Sequence, residues 1–146
     1  MTLDEVYNTY KDTISNIYDA QKINISFISK DDFIKLVSSI IYKESSGVPD
    51  KTGDDGCSYG LMQLNYCAGT PQRFGFEGDP NVLYDEYTNI WYGVKYLSYL
   101  LRRYNNIQTA VSAYNAGEGR IGINIASYVQ PVLDFFNSLS DKKKFS

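Results

Sequence analysis

Apolar residues between Lys30 and Ser46 recur with the period of an α-helix, which limits this segment to a helix with one buried face. Their spacing is the i, i+3, i+4, i+7 pattern of a one-sided helix, formed by Phe33, Leu36, Val37, Ile40 and Ile41. At about 100° per residue, Glu44 lies within roughly 60° of four of these five positions. The sequence therefore predicts a helix whose last turn directs a carboxylate toward the core.

A carboxylate in that position has chemical consequences. Burial removes its hydration, which raises its pKa and favours the protonated acid near neutral pH. A carboxyl group of this kind can act as a general acid. Gly47 and Pro49 end the helix within a turn, so Glu44 is expected to project into the mouth of a loop. The alternative is a helix-end side chain that reaches water or pairs with a lysine.

Three short motifs follow one another along the chain: ESSG at 44–47, SYGLMQL at 58–64 and AYNAGEGR at 113–120. Together they resemble the three signatures of the soluble lytic transglycosylase (SLT) family, lysozyme-like enzymes that cut peptidoglycan. The segment Asn89–Arg103 is similar to the helix that this family has between the last two motifs. The resemblance covers most of the chain, whereas residues 1–28 carry no signature of the family.

The resemblance implies a lysozyme-like fold, and the residue pattern predicts an all-α chain, or an α chain with a minor β-hairpin. A length of 146 residues corresponds to one domain with a substantial core. We therefore expect a single lysozyme-like transglycosylase domain over 1–146, with an N-terminal helix within 1–28 and a catalytic core over 29–139.

Helix starts and stops can be assigned from capping residues. Thr2 with Glu5 predicts a capping box, and the predicted N-caps of later helices are Ser29, Thr88 and Asn106. Residues 61–66 are expected to form a short helix or a tight turn. Pro131 is compatible with the closing helix only in its first turn.

The resemblance implies a mechanism centred on Glu44. This residue would protonate the leaving oxygen of the β-1,4 bond between MurNAc and GlcNAc. It would then take a proton from the C6 hydroxyl of the sugar, which attacks C1 and closes the ring of 1,6-anhydro-MurNAc. No water enters, so a second carboxylate is not needed, and the N-acetyl group of the substrate would supply the nucleophile.

The resemblance also implies a set of substrate-binding residues, namely Ser58, Met62, Gln63, Tyr114, Asn115 and Tyr128. Other interpretations remain open for several of them. Ser58 could satisfy backbone groups of its loop, Met62 could fill the core, and Asn115 could cap its helix. Glu118 is interpreted as facing solvent.

Composition excludes several classes of function. The chain has no histidine, so histidine triads and histidine-ligated metals are excluded, and we expect no metal and no cofactor. The acidic loop at 50–61 lacks the glycine and glutamate of a calcium loop. The net charge of −3 argues against nucleic acid, and no apolar run is long enough for membrane insertion. Cys57 and Cys67 could pair, but without an export signal we expect free thiols.

The expected partner is the glycan strand of peptidoglycan, bound by a monomer. Because the N-terminus lacks a signal peptide pattern, Met1 is expected to start the mature protein. Action at the bacterial cell wall would then follow release by lysis, virion delivery or dedicated export, and a phage endolysin or virion-associated lysin is favoured.

Two other functions stay open. A hydrolytic muramidase of goose-type lysozyme character would use Asp54 or Asp55 with Glu44, at the roughly 6.5–9.5 Å separation of an inverting pair. A virion or wall module could instead hold glycan strands without cutting them. The presence of Glu44, Gln63 and Asn115 together argues against a decayed site.

Overall fold

The computed structural model describes the backbone of residues 1–144 and the side chains of residues 1–141. Within this range the chain forms α-helices and three two-residue strands. The helices are α1 (Leu3–Ala20), α2 (Lys30–Ser45), α3 (Thr70–Arg73), α4 (Glu86–Tyr104), α5 (Ile107–Ala116) and α6 (Gln130–Lys144). The strands are β1 (Thr52–Gly53), β2 (Ser58–Tyr59) and β3 (Leu64–Asn65). The fold class is the predicted one, a helical chain with a minor β element.

The predicted caps are confirmed at three helix starts. The capping box of α1 is complete, since Thr2 accepts from the Glu5 backbone and Glu5 accepts from the Thr2 backbone. Ser29 caps α2 and Asn106 caps α5 through their side-chain oxygens. Each cap satisfies a backbone N–H that has no partner inside its helix.

The predicted cap of α4 was wrong. Asp85, rather than Thr88, is the N-cap, and its carboxylate accepts from both the backbone N–H and the hydroxyl of Thr88, at 3.0 and 2.9 Å. A carboxylate at a helix N-terminus also interacts favourably with the helix dipole. The 3₁₀ turn Pro80–Tyr84 ends directly before this cap.

The core lies where α1 and α6 pack on α2 and where α5 packs on α4. The predicted apolar face of α2 is fully buried, as are Ile90, Val94, Leu97 and Leu101 of α4. A π-helical turn, Ile125–Val129, leads into α6 and places Pro131 in the first turn of that helix, as predicted. This packing sets the last turn of α2 beside the start of α6.

Residues 61–66 form a turn and a strand rather than a short helix. β2 pairs antiparallel with β1 and with β3, so that Ser58 lies opposite both Gly53 and Asn65. The tight turn between β2 and β3 is closed by a hydrogen bond from the Gln63 N–H to the Gly60 carbonyl. A strand of two residues is too short to show the alternation of apolar and polar residues that indicates a β-strand, so the sequence pattern did not predict these strands.

The expectation of free thiols was wrong, because Cys57 and Cys67 form a disulfide with a Cα–Cα distance of 5.2 Å. The antiparallel pairing of β2 with β3 brings together the residues that flank the two strands. A covalent loop with a sequence separation of 10 residues restricts the unfolded chain, which stabilises the fold by about 2–3 kcal/mol. The disulfide therefore fixes the loop that carries Ser58.

Candidate active site

Glu44 lies in the last turn of α2, at the end of the helix that the sequence pattern predicted. The helix stops there because Ser46 and Gly47 both adopt positive φ angles, of 53° and 83°, which reverse the chain. The Glu44 side chain is partly buried, and its Oε2 accepts a 2.8 Å hydrogen bond from the Tyr128 hydroxyl. One end of the carboxyl group is thus held by the protein while the group borders a cleft.

Burial raises the pKa of Glu44 from 4.5 to about 7. The Tyr128 hydrogen bond and the charges of Lys51 and Lys43 lower this pKa, while the charge of Asp54 raises it further. Burial has the largest effect, and it favours the protonated form of the Glu44 carboxyl group near neutral pH. The neighbouring tyrosine stays neutral, because burial and the Glu44 charge raise the pKa of Tyr128 well above 10.

The cleft beside Glu44 contains a narrow polar pocket of about 60 Å³. Side chains from α2, the sheet, α3, α4 and α5 line it: Glu44, Asp54, Ser58, Gln63, Leu64, Asn65, Thr70, Tyr96, Tyr114 and Asn115. Five of the seven residues proposed from the sequence are in this set, and Tyr128 reaches it through its hydrogen bond to Glu44. Thr70, Asn65 and Tyr96 were not identified, because none stands in a motif that marks it.

Ser58 and Asp54 form a hydrogen-bonded pair on the sheet side of the pocket. The Ser58 hydroxyl is buried and donates to Asp54 Oδ2 at 2.6 Å. Ser58 therefore orients a carboxylate toward the pocket. Asp55 is exposed and does not line the pocket.

Gln63 borders the pocket, and its side chain also stabilises the turn between β2 and β3 in which it lies. Its amide nitrogen donates to the backbone carbonyls of Lys51 and Gly60, at 3.0 and 2.9 Å, and its φ angle is +49°. The side-chain amide N–H groups are thus used within the protein. Any glycan contact of this side chain would be made by its carbonyl oxygen.

The Met62 side chain does not reach the cleft. It is fully buried and lies against Gly93 of α4, where an added Cβ would meet its sulfur. The alternative interpretation, a methionine that fills the core, fits this position. Met62 contributes to the site through its backbone carbonyl, which accepts a 2.8 Å hydrogen bond from the Tyr114 hydroxyl.

Asn115 stands at the open side of the cleft and is held by a residue that the sequence did not reveal. Asn124 is buried and donates from Nδ2 to Asn115 Oδ1 at 2.9 Å, while the other hydrogen bonds of its side chain join it to Ser112. The Asn115 amide nitrogen has no partner within the described residues, so it can donate to a ligand. The sequence analysis did not identify Asn124 as a site residue. Its position as a single polar residue between Ile123 and Ile125 is the one weak sequence feature that could have indicated a role.

The solvent-facing interpretation of Glu118 was wrong. Its carboxylate is largely buried and forms ion pairs with Arg73 and Arg103, at 3.1 and 3.2 Å. The Tyr104 hydroxyl also donates to it, at 3.2 Å. Glu118 therefore ties the third motif to α3 and α4.

Neither metal ligands nor a membrane span is evident in the part of the chain that the structure describes. Here no three Cys, Asp, Glu or His residues are grouped as metal ligands would be. Among the described helices, none combines the length and the apolar character that crossing a membrane would require.

The family model described as "Transglycosylase SLT domain" matches residues 30–130. The chain is 35% identical over 79 residues to a protein named membrane-bound lytic murein transglycosylase E from Buchnera aphidicola, covering 51% of this chain and 35% of that one. It is 34% identical over 107 residues to a transglycosylase of Enterobacteria phage PRD1, covering 72% of this chain and 38% of that one. The chain thus spans little more than a third of either relative.

Solved structures show the same fold. An inactive mutant of the lytic transglycosylase Slt from Pseudomonas aeruginosa superposes with a TM-score of 0.70 at 23% identity, over 92% of this chain and 24% of that one. A complex of the 70-kDa soluble lytic transglycosylase with bulgecin A gives a TM-score of 0.60 at 26% identity, over 88% of this chain and 19% of that one. The predicted lysozyme-like fold is confirmed.

Proposed function

Because the chain belongs to the transglycosylase SLT domain family, we propose that it is a lytic transglycosylase that cleaves peptidoglycan. The observation that carries this proposal is the state of Glu44, whose pKa is raised to about 7 by burial and whose Oε2 is held by Tyr128. A carboxyl group in this state can both give and accept a proton near neutral pH. The proposed substrate bond is the β-1,4 linkage between MurNAc and GlcNAc.

Glu44 carries both proton transfers of the reaction. The protonated carboxyl donates to the glycosidic oxygen as the C1–O bond breaks and positive charge develops on the sugar. The acetamido oxygen of the substrate attacks C1 and takes up this charge. The ionised Glu44 then accepts the proton of the C6 hydroxyl, whose oxygen displaces the acetamido oxygen at C1 and forms the 1,6-anhydro ring.

The polar groups around Glu44 are suited to an amino sugar. Asn115 offers an amide N–H without a partner among the described residues, and the carboxylate of Asp54, an acceptor, lines the same pocket. Tyr128 keeps Glu44 from turning away when it is ionised, since the hydrogen bond of a neutral phenol to a carboxylate strengthens with the charge. The proposed site is complete within one chain, so the reaction needs no second copy, and we propose a monomer.

A hydrolytic muramidase is the second candidate, and the position of Asp54 favours it. Asp54 borders the same pocket as Glu44, where a second carboxylate could activate a water molecule. The Ser58 hydroxyl already donates to Asp54 Oδ2 at 2.6 Å, so one oxygen of this carboxylate is engaged within the protein. Asp55 lies outside the pocket lining and is not proposed for this role.

Mass spectrometry of the products released from purified peptidoglycan separates the candidates. A lytic transglycosylase releases anhydro-muropeptides, which are one water lighter than the products of hydrolysis. Glu44→Gln should lower turnover on the order of 10²–10⁴-fold with an unchanged circular dichroism spectrum. Products with reducing MurNAc ends would support the muramidase. Intact peptidoglycan that is bound by the wild type but not cut would support a glycan-binding module.

We also propose that the protein acts at the bacterial cell wall after release by lysis, virion delivery or dedicated export. The similarity to the PRD1 transglycosylase supports a phage origin, either as an endolysin or as a virion-associated lysin. Light scattering of the purified chain should give a mass near 16.6 kDa if it is a monomer.

A further inference from the structure

A second concave surface lies on the other side of α4, in the angle between α1 and α4. Its volume is about 700 Å³, within the range of ligand-binding clefts. We call it the basic aromatic groove, after the side chains that give it its character: Phe74, Trp91 and Tyr99 with Lys95, Arg102 and Arg103. We propose that this groove is an accessory binding site for the carboxylate-bearing stem peptides and sugars of peptidoglycan.

The groove is separate from the catalytic cleft, because the two share no lining residue. At about 100° per residue, Trp91, Lys95 and Arg102 lie within roughly 40° of one another on α4. Tyr96, which borders the catalytic pocket, lies about 140° away from Trp91 around the same helix. One helix therefore presents different faces to the two surfaces.

The charge of the groove is opposite to that of the whole protein. The chain has a net charge of −3, yet three cations and no carboxylate line the groove. Arg103 is neutralised by Glu118 at 3.2 Å. Lys95 and Arg102 form no ion pair within the described residues, so both can bind a carboxylate of a ligand.

The aromatic side chains give the groove a flat, partly apolar floor. Trp91 is only partly buried, and Tyr87 stacks beside it with ring centroids 6.1 Å apart and an interplanar angle of 27°. The Lys95 ammonium group lies 5.5 Å from the Trp91 ring centroid. Gln21, which directly follows α1, donates from its side-chain amide to the Trp91 carbonyl at 3.0 Å and joins the two walls. Flat rings of this kind suit the apolar faces of sugars and the methyl groups of short peptides.

A ligand for this groove must combine carboxylates with flat apolar surfaces. Peptidoglycan has both, since its sugar rings carry peptides with free carboxylates. The phosphate groups of a polyphosphate such as teichoic acid would bind the cations but would make no favourable contact with the aromatic side chains. This step rests on the proposed function. The groove would hold a neighbouring strand while the cleft cuts another.

Binding to insoluble sacculi free of teichoic acid tests the proposal, with Glu44→Gln present in every protein to prevent cleavage. Lys95→Gln and Arg102→Gln, singly and combined, remove the unpaired cations. Lys11→Gln is the matched control, because Lys11 lies over the Tyr7 ring on α1 at 5.7 Å, outside the groove. The second probe is chitin, a peptide-free glycan without carboxylates, because an amidase that removed the stem peptides would leave a free lactyl carboxylate on every MurNAc.

The combined variant should bind peptide-bearing sacculi about threefold to tenfold more weakly. Its affinity for the peptide-free glycan should change less than about twofold, and Lys11→Gln should change neither. Unchanged binding would overturn the proposal, and so would an equal loss on both probes. A loss that appears only with sacculi that retain teichoic acid would assign the groove to polyphosphate instead.

The binding assay involves no turnover, so its outcome is independent of the reaction. Suppose that wild type released no anhydro product but the groove variants still lost affinity for stem peptides. The proposed lytic transglycosylase activity would then be contradicted, whereas the assignment of the groove as a binding site would be supported. If anhydro products formed and the groove variants bound normally, only the groove assignment would fail.

Discussion

The Tyr128 hydroxyl donates a 2.8 Å hydrogen bond to Glu44 Oε2, although 84 positions separate the two residues in the chain. The contact forms because α6 packs along α2, which brings the turn before α6 to the end of α2. The bond lowers the pKa of Glu44, while burial raises that pKa more strongly, to about 7. The two largest effects on the pKa of Glu44 are therefore opposed, and the hydrogen bond comes from a distant part of the sequence.

Tyr128→Phe should shift the pH dependence of cleavage to higher pH. Loss of the donor raises the pKa of Glu44 above about 7, and a general acid loses activity as the pH rises through its pKa. The alkaline limb of the rate profile on sacculi should move upward, with a lower maximal rate because Glu44 is less well oriented. Tyr7→Phe, on α1 and outside the lining of both the catalytic pocket and the basic aromatic groove, is the control. An alkaline limb that stayed in place or moved downward would contradict this account.

Asp54→Asn should move the alkaline limb of the pH–rate profile to lower pH. The charge of Asp54 raises the pKa of Glu44, so its removal lowers that pKa and the alkaline limb shifts to lower pH. The anhydro product should persist, as mass spectrometry can show. Asp55→Asn, which alters a carboxylate outside the pocket lining, should leave the limb unchanged. A loss of all turnover with Asp54→Asn alone would instead favour the hydrolytic mechanism.

The raised pKa of Glu44 should also make folding depend on pH. Between pH 4.5, the ordinary pKa, and about pH 7, the folded state binds more protons than the unfolded state, so stability falls as the pH rises. The penalty is complete above about pH 7 and absent below about pH 4.5. Glu44→Gln removes it and should exceed wild type in free energy of unfolding by about 1–3 kcal/mol at about pH 8.

This advantage should shrink toward zero as the pH falls to about 4.5, as measured by urea unfolding across the range. Glu77→Gln, which neutralises an exposed carboxylate, should show no comparable trend. A constant difference between Glu44→Gln and wild type at every pH would refute the raised pKa.

Gly60 should tolerate no side chain, because its backbone approaches α4 closely. A Cβ there would overlap Asn89 Nδ2 and lie 2.6 Å from the Leu83 carbonyl oxygen, at a φ of +79°. Gly56 has a similar φ of +87° with nothing within 4 Å, so Gly56→Ala is the matched control for backbone strain. Gly60→Ala should cost about 1–3 kcal/mol more than Gly56→Ala. Equal midpoints of urea unfolding for Gly60→Ala and Gly56→Ala would contradict this prediction, because they would show that the loop around Gly60 accommodates a Cβ at no extra cost.

Local sequence patterns were enough to predict the helices of the fold and the inward direction of the Glu44 side chain. The apolar stripe of α2 placed Glu44 toward the core, and Thr2, Ser29 and Asn106 marked helix starts through bonds made within three residues. Such features depend only on neighbours in the chain, which is why a sequence reveals them.

Features that depend on tertiary contact were missed or wrong. Nothing local distinguishes Asn124 as the residue that holds Asn115, or Glu118 as the partner of two arginines. The pairing of Cys57 with Cys67 follows from two strands too short to show a pattern. In each case the partner is fixed by packing of elements that meet only after folding.

Glu44 can serve as an acid near neutral pH only if its carboxyl group still carries a proton there. An NMR titration of the ¹³C-labelled side-chain carboxyl carbons, with the Glu44 signal assigned by its absence in Glu44→Gln, measures this directly. The signal should titrate with a midpoint of about 7. A midpoint near the ordinary 4.5 would mean that Glu44 is ionised at neutral pH, which would contradict its assignment as the proton donor.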